Sequence, residues 1–374
     1  MVELKPRAIA WAGTMAGHPD GSLVRAHPDS AARVDLGRPI LRVEREAWEA
    51  AHLYPGATLA LGAGSRARPE EPDLERTCFE RDRDRIVHST AFRRLAGKTQ
   101  VVVFPTDHQR TRLTHALEVA QVAASIARGV GVNATLAEAI ALAHDCGHGP
   151  GGHASEDAFD AFLTGGFDHG PWGADVVLAG LNLCAETLDG IRNHSWSRPA
   201  PATVEGEIVS WADRIAYCAH DLEDAASSGI LDLADLPAEV VEVCGRTRRE
   251  QLGTFVRAVI GCVAETGEVG MDPDTAGALA ALRAFNYERI YTRPESVAQS
   301  HAVVDVLQAL VEYYLRNPQA LPLEPGAAPP GGEELVLEAV TYVAGMTDRF
   351  AFDTATALLD WDPRRLPRGI GHDA

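Results

Sequence analysis

Apolar side chains recur every three or four residues from about position 78 onward, the spacing of one face of an α-helix. No run of alternating apolar and polar positions long enough for a sheet interrupts this pattern. The first 75 residues are rich in Gly, Pro and Ala and have little periodicity. The pattern predicts an all-α fold with an extended, irregular lead-in at 1–75, a helical core at 76–316, a Pro/Gly loop at 317–332 and a C-terminal helical segment at 333–374 that packs on the core.

The first of three informative helices is predicted from Arg112 to Arg128, and the glycines that follow end it. His115 falls on the same face as the apolar residues Val119, Val122 and Ile126, so it points inward. An inward histidine is either a hydrogen-bonded core residue or a ligand, and this helix alone does not separate the two.

The second helix is predicted to open with Thr135 and Glu138 as a capping box and to end at Gly147. His144 lies on its buried face, one residue before Asp145. This pair sits at a helix C-terminus, where the helix dipole favours a cation.

The same pair opens the decapeptide HDCGHGPGGH at 144–153. An adjacent His and Asp offer a nitrogen and a carboxylate to a divalent metal, and His148 and His153 follow on a glycine-rich segment. The run predicts metal or catalytic chemistry, and a solvated, idle loop is the alternative.

The third helix, predicted from Glu205 to Ser227, places Asp213, Tyr217 and Asp221 on one face at intervals of four. At about 1.5 Å per residue, the two acids lie roughly 12 Å apart. This face is either solvated or the half-buried wall of a cleft, and either Asp could complete a metal site.

The composition of the chain limits the functions and the cellular compartment that we expect. A net charge of −19 argues against nucleic-acid binding as the main function. No apolar run approaches the length of a membrane span, and six scattered cysteines form no CxxC pair, so we expect a cytoplasmic protein. The segment from Arg81 to Arg112 is nevertheless basic, and it is the best candidate for a phosphate clamp in an acidic chain.

Several motifs, in consistent order over roughly residues 76–355, resemble the bacterial dGTP triphosphohydrolase family of the HD superfamily. They are RDRDRIVHSTAFRRLAGKTQVVVF, RTRLTHALEVAQVAASIA, ALAHDCGHGPGGHASEDAF, GLNLCAETLDGIRNHSW, ADRIAYCAHDLEDA and YVAGMTDRFA. The resemblance implies an all-helical HD domain at 76–316, hydrolysis of a dNTP to deoxynucleoside and tripolyphosphate, and a homo-oligomer. It also implies one divalent ion per subunit (Mg²⁺, Mn²⁺ or Fe²⁺) and leaves open a dNTP activator.

The resemblance also implies roles for individual residues, and it resolves the fourth metal ligand as Asp213. The implied metal ligands are His115, His144, Asp145 and Asp213; the implied catalytic pair is His153 and Glu156; and the implied substrate-binding residues are Arg112, His148, His169, Tyr217 and Asp221. The sequence departs from the family pattern after His169, where Gly-Pro-Trp-Gly replaces Asn-x-x-Ser.

Two alternatives to a triphosphohydrolase are kept. One is another HD phosphohydrolase, such as a nucleoside monophosphatase or an alarmone hydrolase. The other is a non-catalytic regulator that binds dNTPs. The reaction products separate the first from a triphosphohydrolase, and binding without turnover identifies the second.

Overall fold

A computed structural model of the chain describes residues 5–35, 37–101, 110–323 and 328–367. Parts of the predicted lead-in, basic segment, Pro/Gly loop and C-terminal segment therefore lie outside the described residues. The all-α prediction is confirmed, because the only sheet among the described residues is one two-stranded hairpin. The chain divides into two compact units, residues 1–40 and 41–374.

The smaller unit contains one helix and the hairpin. Helix α1 spans Pro6–Gly13 and buries none of its residues. Strands β1 (His18–Asp20) and β2 (Leu23–Arg25) pair antiparallel, with His18 opposite Arg25.

The larger unit holds all of the other described helices. They are α2 (Arg42–His52), α3 (Cys78–His88), α4 (Thr90–Arg94), α5 (Arg112–Val130), α6 (Ala134–Ala143), α7 (Ala154–Asp160), α8 (His169–Trp172), α9 (Ala185–Asn193), α10 (Val204–Ser227), α11 (Ala238–Cys244), α12 (Arg248–Thr266), α13 (Pro273–Asn286), α14 (Pro294–Arg316), α15 (Gly332–Ala344) and α16 (Asp348–Leu359). Single turns of 3₁₀ or π-helix lie at Leu95–Gly97, Gly173–Val177, Ala179–Leu181, Leu233–Asp235, Tyr287–Tyr291, Pro318–Ala320 and Pro363–Arg365. No helix among the described residues combines the length and the apolar content needed to cross a membrane.

The predicted lead-in is not wholly extended, because α2 lies inside it. Glu44 accepts a hydrogen bond from the backbone N–H of Leu41 at the start of this helix. An ion pair of 2.5 Å between Arg42 and Glu46 joins neighbouring turns. Charged pairs at this spacing stabilise the helix, although none of its residues is buried.

The helices from Arg112 and from residue 204 lie close to their predicted bounds, but both ends of α6 differ. This helix ends at Ala143 and not at the predicted Gly147. Asn133, and not Thr135, caps this helix, since its side chain accepts from the N–H groups of Thr135 and Leu136. The predicted capping box is therefore wrong. An Asn side chain two residues earlier already satisfies these N–H groups.

Two apolar clusters form the interior of the larger unit. The first joins α3–α6 and α9–α13, and the second joins α7, α8 and α14–α16. Cys146 belongs to the first cluster and Ala154 to the second. The decapeptide at 144–153 therefore passes from one cluster to the other.

Helices α5 and α6 pack against each other. Both bury several alanines, namely Ala116, Ala120, Ala123, Ala124 and Ala127 in α5, and Ala137, Ala139, Ala141 and Ala143 in α6. Alanine loses no side-chain entropy in a helix and lets backbones approach closely. This contact places the start of α5 beside the end of α6.

Candidate metal and phosphate site

Three helices bring the four predicted metal ligands together. His115 lies in the first turn of α5, His144 and Asp145 follow the end of α6, and Asp213 lies in α10. His115 Nε2 is 3.0 Å from Asp213 Oδ1 and 3.8 Å from Asp145 Oδ2. His144 Nε2 is 3.5 Å from Asp145 Oδ1 and 3.7 Å from Asp213 Oδ1. Two nitrogens and two carboxylates thus converge on one point.

The hydrogen bonds of His144 leave one of its ring nitrogens free to bind a metal ion. Its Nδ1 donates to the carbonyl of Ala141 at 2.6 Å, so Nε2 carries the free lone pair. This buried Nε2 has no hydrogen-bond partner among the described residues. The donor separations suit one divalent ion with ligand bonds of about 2.0–2.2 Å. The cluster can therefore hold a metal ion.

Arg112 holds the Asp145 carboxylate charged. Its Nη1 donates to Asp145 Oδ2 at 2.5 Å, and both side chains are buried. Burial alone would raise the pKa of Asp145, but the guanidinium and the neighbouring histidines hold it well below its usual range. The Nε and Nη2 of Arg112 have no hydrogen-bond partner among the described residues, although this side chain lines a cavity. A buried guanidinium with two unused donors is suited to an anionic ligand.

A second group of side chains lies beside the cluster of His115, His144, Asp145 and Asp213. Glu156 Oε1 accepts from His169 Nδ1 at 2.5 Å, and its Oε2 lies 3.4 Å from His153 Nδ1. His148 stacks on His169 with ring centroids 3.7 Å apart, and its Nε2 is 3.2 Å from Asp145 Oδ1. The predicted His153–Glu156 pair is therefore brought together, but Glu156 bonds more closely to His169.

Exposure and charge distinguish these three histidines. The His153 side chain is 72% exposed, whereas His148 and His169 are buried. Burial lowers the pKa of His148 well below its ordinary value, so this ring stays neutral. Burial would also lower the pKa of His169, but the bond to Glu156 reverses the direction and raises it. Only His153 and His169 of the three line the cavity.

Gly147 lets the His169 segment approach the end of α6. A Cβ at this position would lie 1.9 Å from the carbonyl oxygen of His169 and 2.5 Å from the backbone nitrogen of Gly173. Any larger residue would push α8, and His169 with it, away from the cluster.

His194 is a member of the site that the sequence interpretation missed. Its Nδ1 donates to the carbonyl of Ile191 at 2.8 Å, and its Nε2 lies 3.1 Å from His169 Nε2. Its ligand atom also lies within 4.8 Å of those of His144 and Asp213. Burial lowers the pKa of His194 to about 3, so its free nitrogen is a neutral acceptor. Its signal is its place in the IRNHSW motif, directly after α9.

Tyr217 and Asp221 form the α10 side of the cavity, which excludes a solvated acidic face. Asp221 is 2% exposed; its Oδ2 accepts from the hydroxyl of Tyr291 at 2.5 Å, and its Oδ1 accepts from Arg110. The Tyr217 hydroxyl accepts from Arg283 Nε at 2.9 Å. Both carboxylate oxygens of Asp221 are thus fixed in place.

Most of the arginines that line the cavity lie outside the segment from Arg81 to Arg112, which was predicted to be the phosphate clamp. The cavity has a volume of about 470 Å³, and the arginines that line it are Arg112, Arg214, Arg283 and Arg293. Within the described part of the basic segment, Arg81 and Arg85 pair with Glu70 at 3.2 and 2.7 Å, and Arg83 pairs with Glu138 at 3.5 Å. Of the lysines and arginines between positions 81 and 112, all of which are described, only Arg112 lines the cavity, whereas Arg81, Arg83, Arg85 and Arg110 pair with acids.

Two domain families and several known proteins are similar to this chain. Residues 112–218 match the HD domain, and residues 269–357 match the phosphohydrolase-associated domain. A deoxyguanosinetriphosphate triphosphohydrolase-like protein from Caldanaerobacter subterraneus is 42% identical over 308 residues, covering 80% of this chain and 90% of that protein. A deoxyguanosinetriphosphate triphosphohydrolase-like protein from Deinococcus radiodurans is 37% identical over 370 residues, covering 85% and 99%. A phosphohydrolase of known structure from Bacteroides thetaiotaomicron is 17% identical, covers 74% of this chain and 68% of that chain, and has a TM-score of 0.46.

The HD domain match spans the helices that supply His115, His144, Asp145 and Asp213. The resemblance found in the sequence motifs is therefore confirmed at the level of the family. The chain belongs to the HD-domain family of deoxyguanosinetriphosphate triphosphohydrolase-like proteins.

Proposed function

We propose that this protein hydrolyses deoxynucleoside triphosphates to deoxynucleoside and tripolyphosphate in a reaction that requires a divalent metal ion. The observation that supports it most is the buried Arg112, whose two unused donors lie beside a metal-type cluster at a cavity of about 470 Å³. Three further arginines line the same cavity, although the whole chain has a net charge of −19. This local excess of cations suits a highly charged anion such as a triphosphate.

We assign the metal to His115, His144, Asp145 and Asp213. A divalent ion in such a site supplies polarisation of a phosphoryl oxygen and a water of lowered pKa. Arg112 keeps Asp145 ionised by its direct hydrogen bond. The protein therefore presents this carboxylate in the form that binds a cation.

We assign proton transfer to His153, oriented by Glu156. Attack of water at the α-phosphorus forms one P–O bond and breaks the bond to the 5′ oxygen, which must then gain a proton. His153 is exposed at the cavity with Nδ1 facing Glu156, so Nε2 is left to exchange a proton with the water or the leaving oxygen. His169 shares Glu156, and that contact raises its pKa, which favours the charged form of the ring near the phosphates.

Recognition of the substrate is assigned to both sides of the cavity. Arg112 binds phosphate oxygens, with His148 and His169 behind it. Tyr217 and Asp221 form the wall for the sugar, since a hydroxyl and a fixed carboxylate can both bond to sugar hydroxyls.

A product assay tests the proposal. Each dNTP, alone and in mixtures, is incubated with Mg²⁺, Mn²⁺, Fe²⁺ or Co²⁺ and separated by HPLC, with Asp213→Ala as the inactive control. We expect deoxynucleoside and tripolyphosphate in equal amounts, and faster turnover in mixtures if a second dNTP is an activator. Orthophosphate or pyrophosphate release would identify a different HD phosphohydrolase, and binding without turnover would identify a regulator. Light scattering on the same samples tests the expected homo-oligomer.

A further inference from the structure

A buried carboxylate joins the C-terminal helices to the glycine-rich turn of the site. Asp348, the first residue of α16, is 3% exposed. Its Oδ1 accepts from the backbone N–H of Gly151 at 2.9 Å. Its Oδ2 accepts from the backbone N–H of Thr99 at 2.9 Å and also from the Thr99 hydroxyl. One side chain thus ties α16 to two separate segments.

A buried lysine makes a parallel connection one residue away. Lys98 is 3% exposed, and its Nζ donates to the carbonyl of Ala344, at the end of α15, at 3.0 Å. The same Nζ donates to the carbonyl of His148. The backbone carbonyl of Lys98 accepts from the N–H of Arg112 at 3.2 Å. The segment at 98–99 therefore contacts α5, the glycine-rich turn and the C-terminal helices at once.

Lys98 and Asp348 bond to the glycine-rich turn at two positions, His148 and Gly151. Lys98 holds His148 by its carbonyl, and Asp348 holds Gly151, whose φ of +74° is a left-handed conformation. His153, which lines the cavity, follows Gly151 by two residues. Without these bonds, the N–H of Gly151 and the carbonyl of His148 would lose buried partners, and the turn would be free to shift.

We propose that Asp348 and Lys98 are positioning residues that fix the turn at 147–153 so that His153 faces the cavity. Neither side chain lines the cavity, and neither makes a described hydrogen bond to a side chain of the four assigned metal ligands. The C-terminal helices thereby complete the site through the backbone of the turn. The link to turnover rests on the proposed function, but the link to the turn does not.

Hydrogen exchange of the turn tests the proposal without any activity. Asp348→Asn places an NH₂ group where one of the N–H donors now bonds, and Asp353→Asn is the matched control on an exposed position of the same helix. We expect the amides of a peptide covering 147–156 to exchange at least about tenfold faster in Asp348→Asn, and at the wild-type rate in Asp353→Asn. An unchanged rate in Asp348→Asn would overturn the proposal.

Kinetics of the same variants test the link to His153. In Asp348→Asn we expect kcat to fall about tenfold, with KM and the bound metal within about threefold of the wild type. In a His153→Ala background, Asp348→Asn should cause no further loss, because it acts through that side chain. Additive losses, or a loss of metal instead of kcat, would contradict positioning of His153.

A second variant covers the case in which Asp348→Asn does not fold. Lys98→Met keeps the length of the side chain and removes its donors, and Arg93→Met is the exposed control. The same faster exchange and the same non-additivity with His153→Ala are expected, and wild-type exchange in Lys98→Met would refute the role of Lys98. If the wild-type protein hydrolyses no dNTP, the proposed function fails, while the exchange experiment still decides the structural inference.

Discussion

Replacement of Arg112 by Met tests the charge arrangement of the site most directly. Arg112 is 2% exposed, and only its Nη1 is bonded, to Asp145. Met has a similar length and fills the buried volume without any donor. The substitution therefore removes the unused Nε and Nη2 as well as the partner of Asp145.

The size of the effect follows from these two donors. A hydrogen bond between charged groups contributes about 1.5–3 kcal/mol. Two such bonds to a phosphate in the transition state give about 3–6 kcal/mol, which corresponds to a loss of about 10²–10⁴-fold in kcat/KM. Metal binding should persist, because the four ligand side chains remain and a bound cation keeps Asp145 ionised in place of the guanidinium.

The assay is release of tripolyphosphate, measured together with the metal content of each variant. Arg112→Lys should fall between the wild type and Arg112→Met, because it keeps the charge but not the planar pair of donors. Arg128→Met, an exposed substitution on the same helix, is the control and should be unaffected. Activity of Arg112→Met within threefold of the wild type would refute phosphate binding by Arg112, and loss of metal would refute the separation of the two roles.

Three further results are expected. His144→Ala should lose both the metal and turnover, whereas His153→Ala should keep the metal and lose most turnover; full activity in the latter would remove this residue from the mechanism. Asp82→Ala should lower the free energy of unfolding by about 3–5 kcal/mol, because it removes the buried carboxylate 2.6 Å from the Arg66 guanidinium and the acceptor of the Cys184 N–H and the Thr187 hydroxyl. Asp84→Ala breaks only exposed pairs and should cost less than about 1 kcal/mol in the same urea titrations, and equal effects would contradict this account. Burial lowers the pKa of Lys98 from 10.5 to about 7, so the unfolded chain holds a proton that the native state has lost between these values. The stability of the wild type should therefore rise relative to Lys98→Met as the pH increases through this window, and parallel stability curves would show that Lys98 is not buried as described.

Helical periodicity placed His115, His144 and Asp213 on their helices, but the choice of Asp213 over Asp221 came from the family resemblance. His115 and Asp213 occupy faces of long helices that lie almost as predicted, and His144 marks the end of a third. In a helix, the position along the sequence fixes the direction of the side chain. For that reason the apolar stripe also gave the direction of each ligand.

Other parts of the site depend on contacts between distant segments. His194 reaches the cluster from the end of α9, and Arg283 reaches the cavity from α13. Arg283 has no local pattern that sets it apart from an ordinary polar residue, and His194 is marked only by its motif. The basic segment from Arg81 to Arg112 has a clear local pattern, but the phosphate clamp predicted from it was wrong. Acids distant in the sequence, such as Glu138 opposite Arg83, neutralise its excess of charge.

The close packing of α5 against α6 has a consequence for the choice of ion. It holds His115 and His144 with their ring centroids 5.3 Å apart, and densely packed helices leave little room for either ring to move. Mg²⁺ binds oxygen at about 2.0–2.1 Å and Ca²⁺ at about 2.3–2.6 Å. With the metal at the proposed residues, we expect the site to take an ion of the size of Mg²⁺ in preference to Ca²⁺, because a wider site would require the two packed helices to separate.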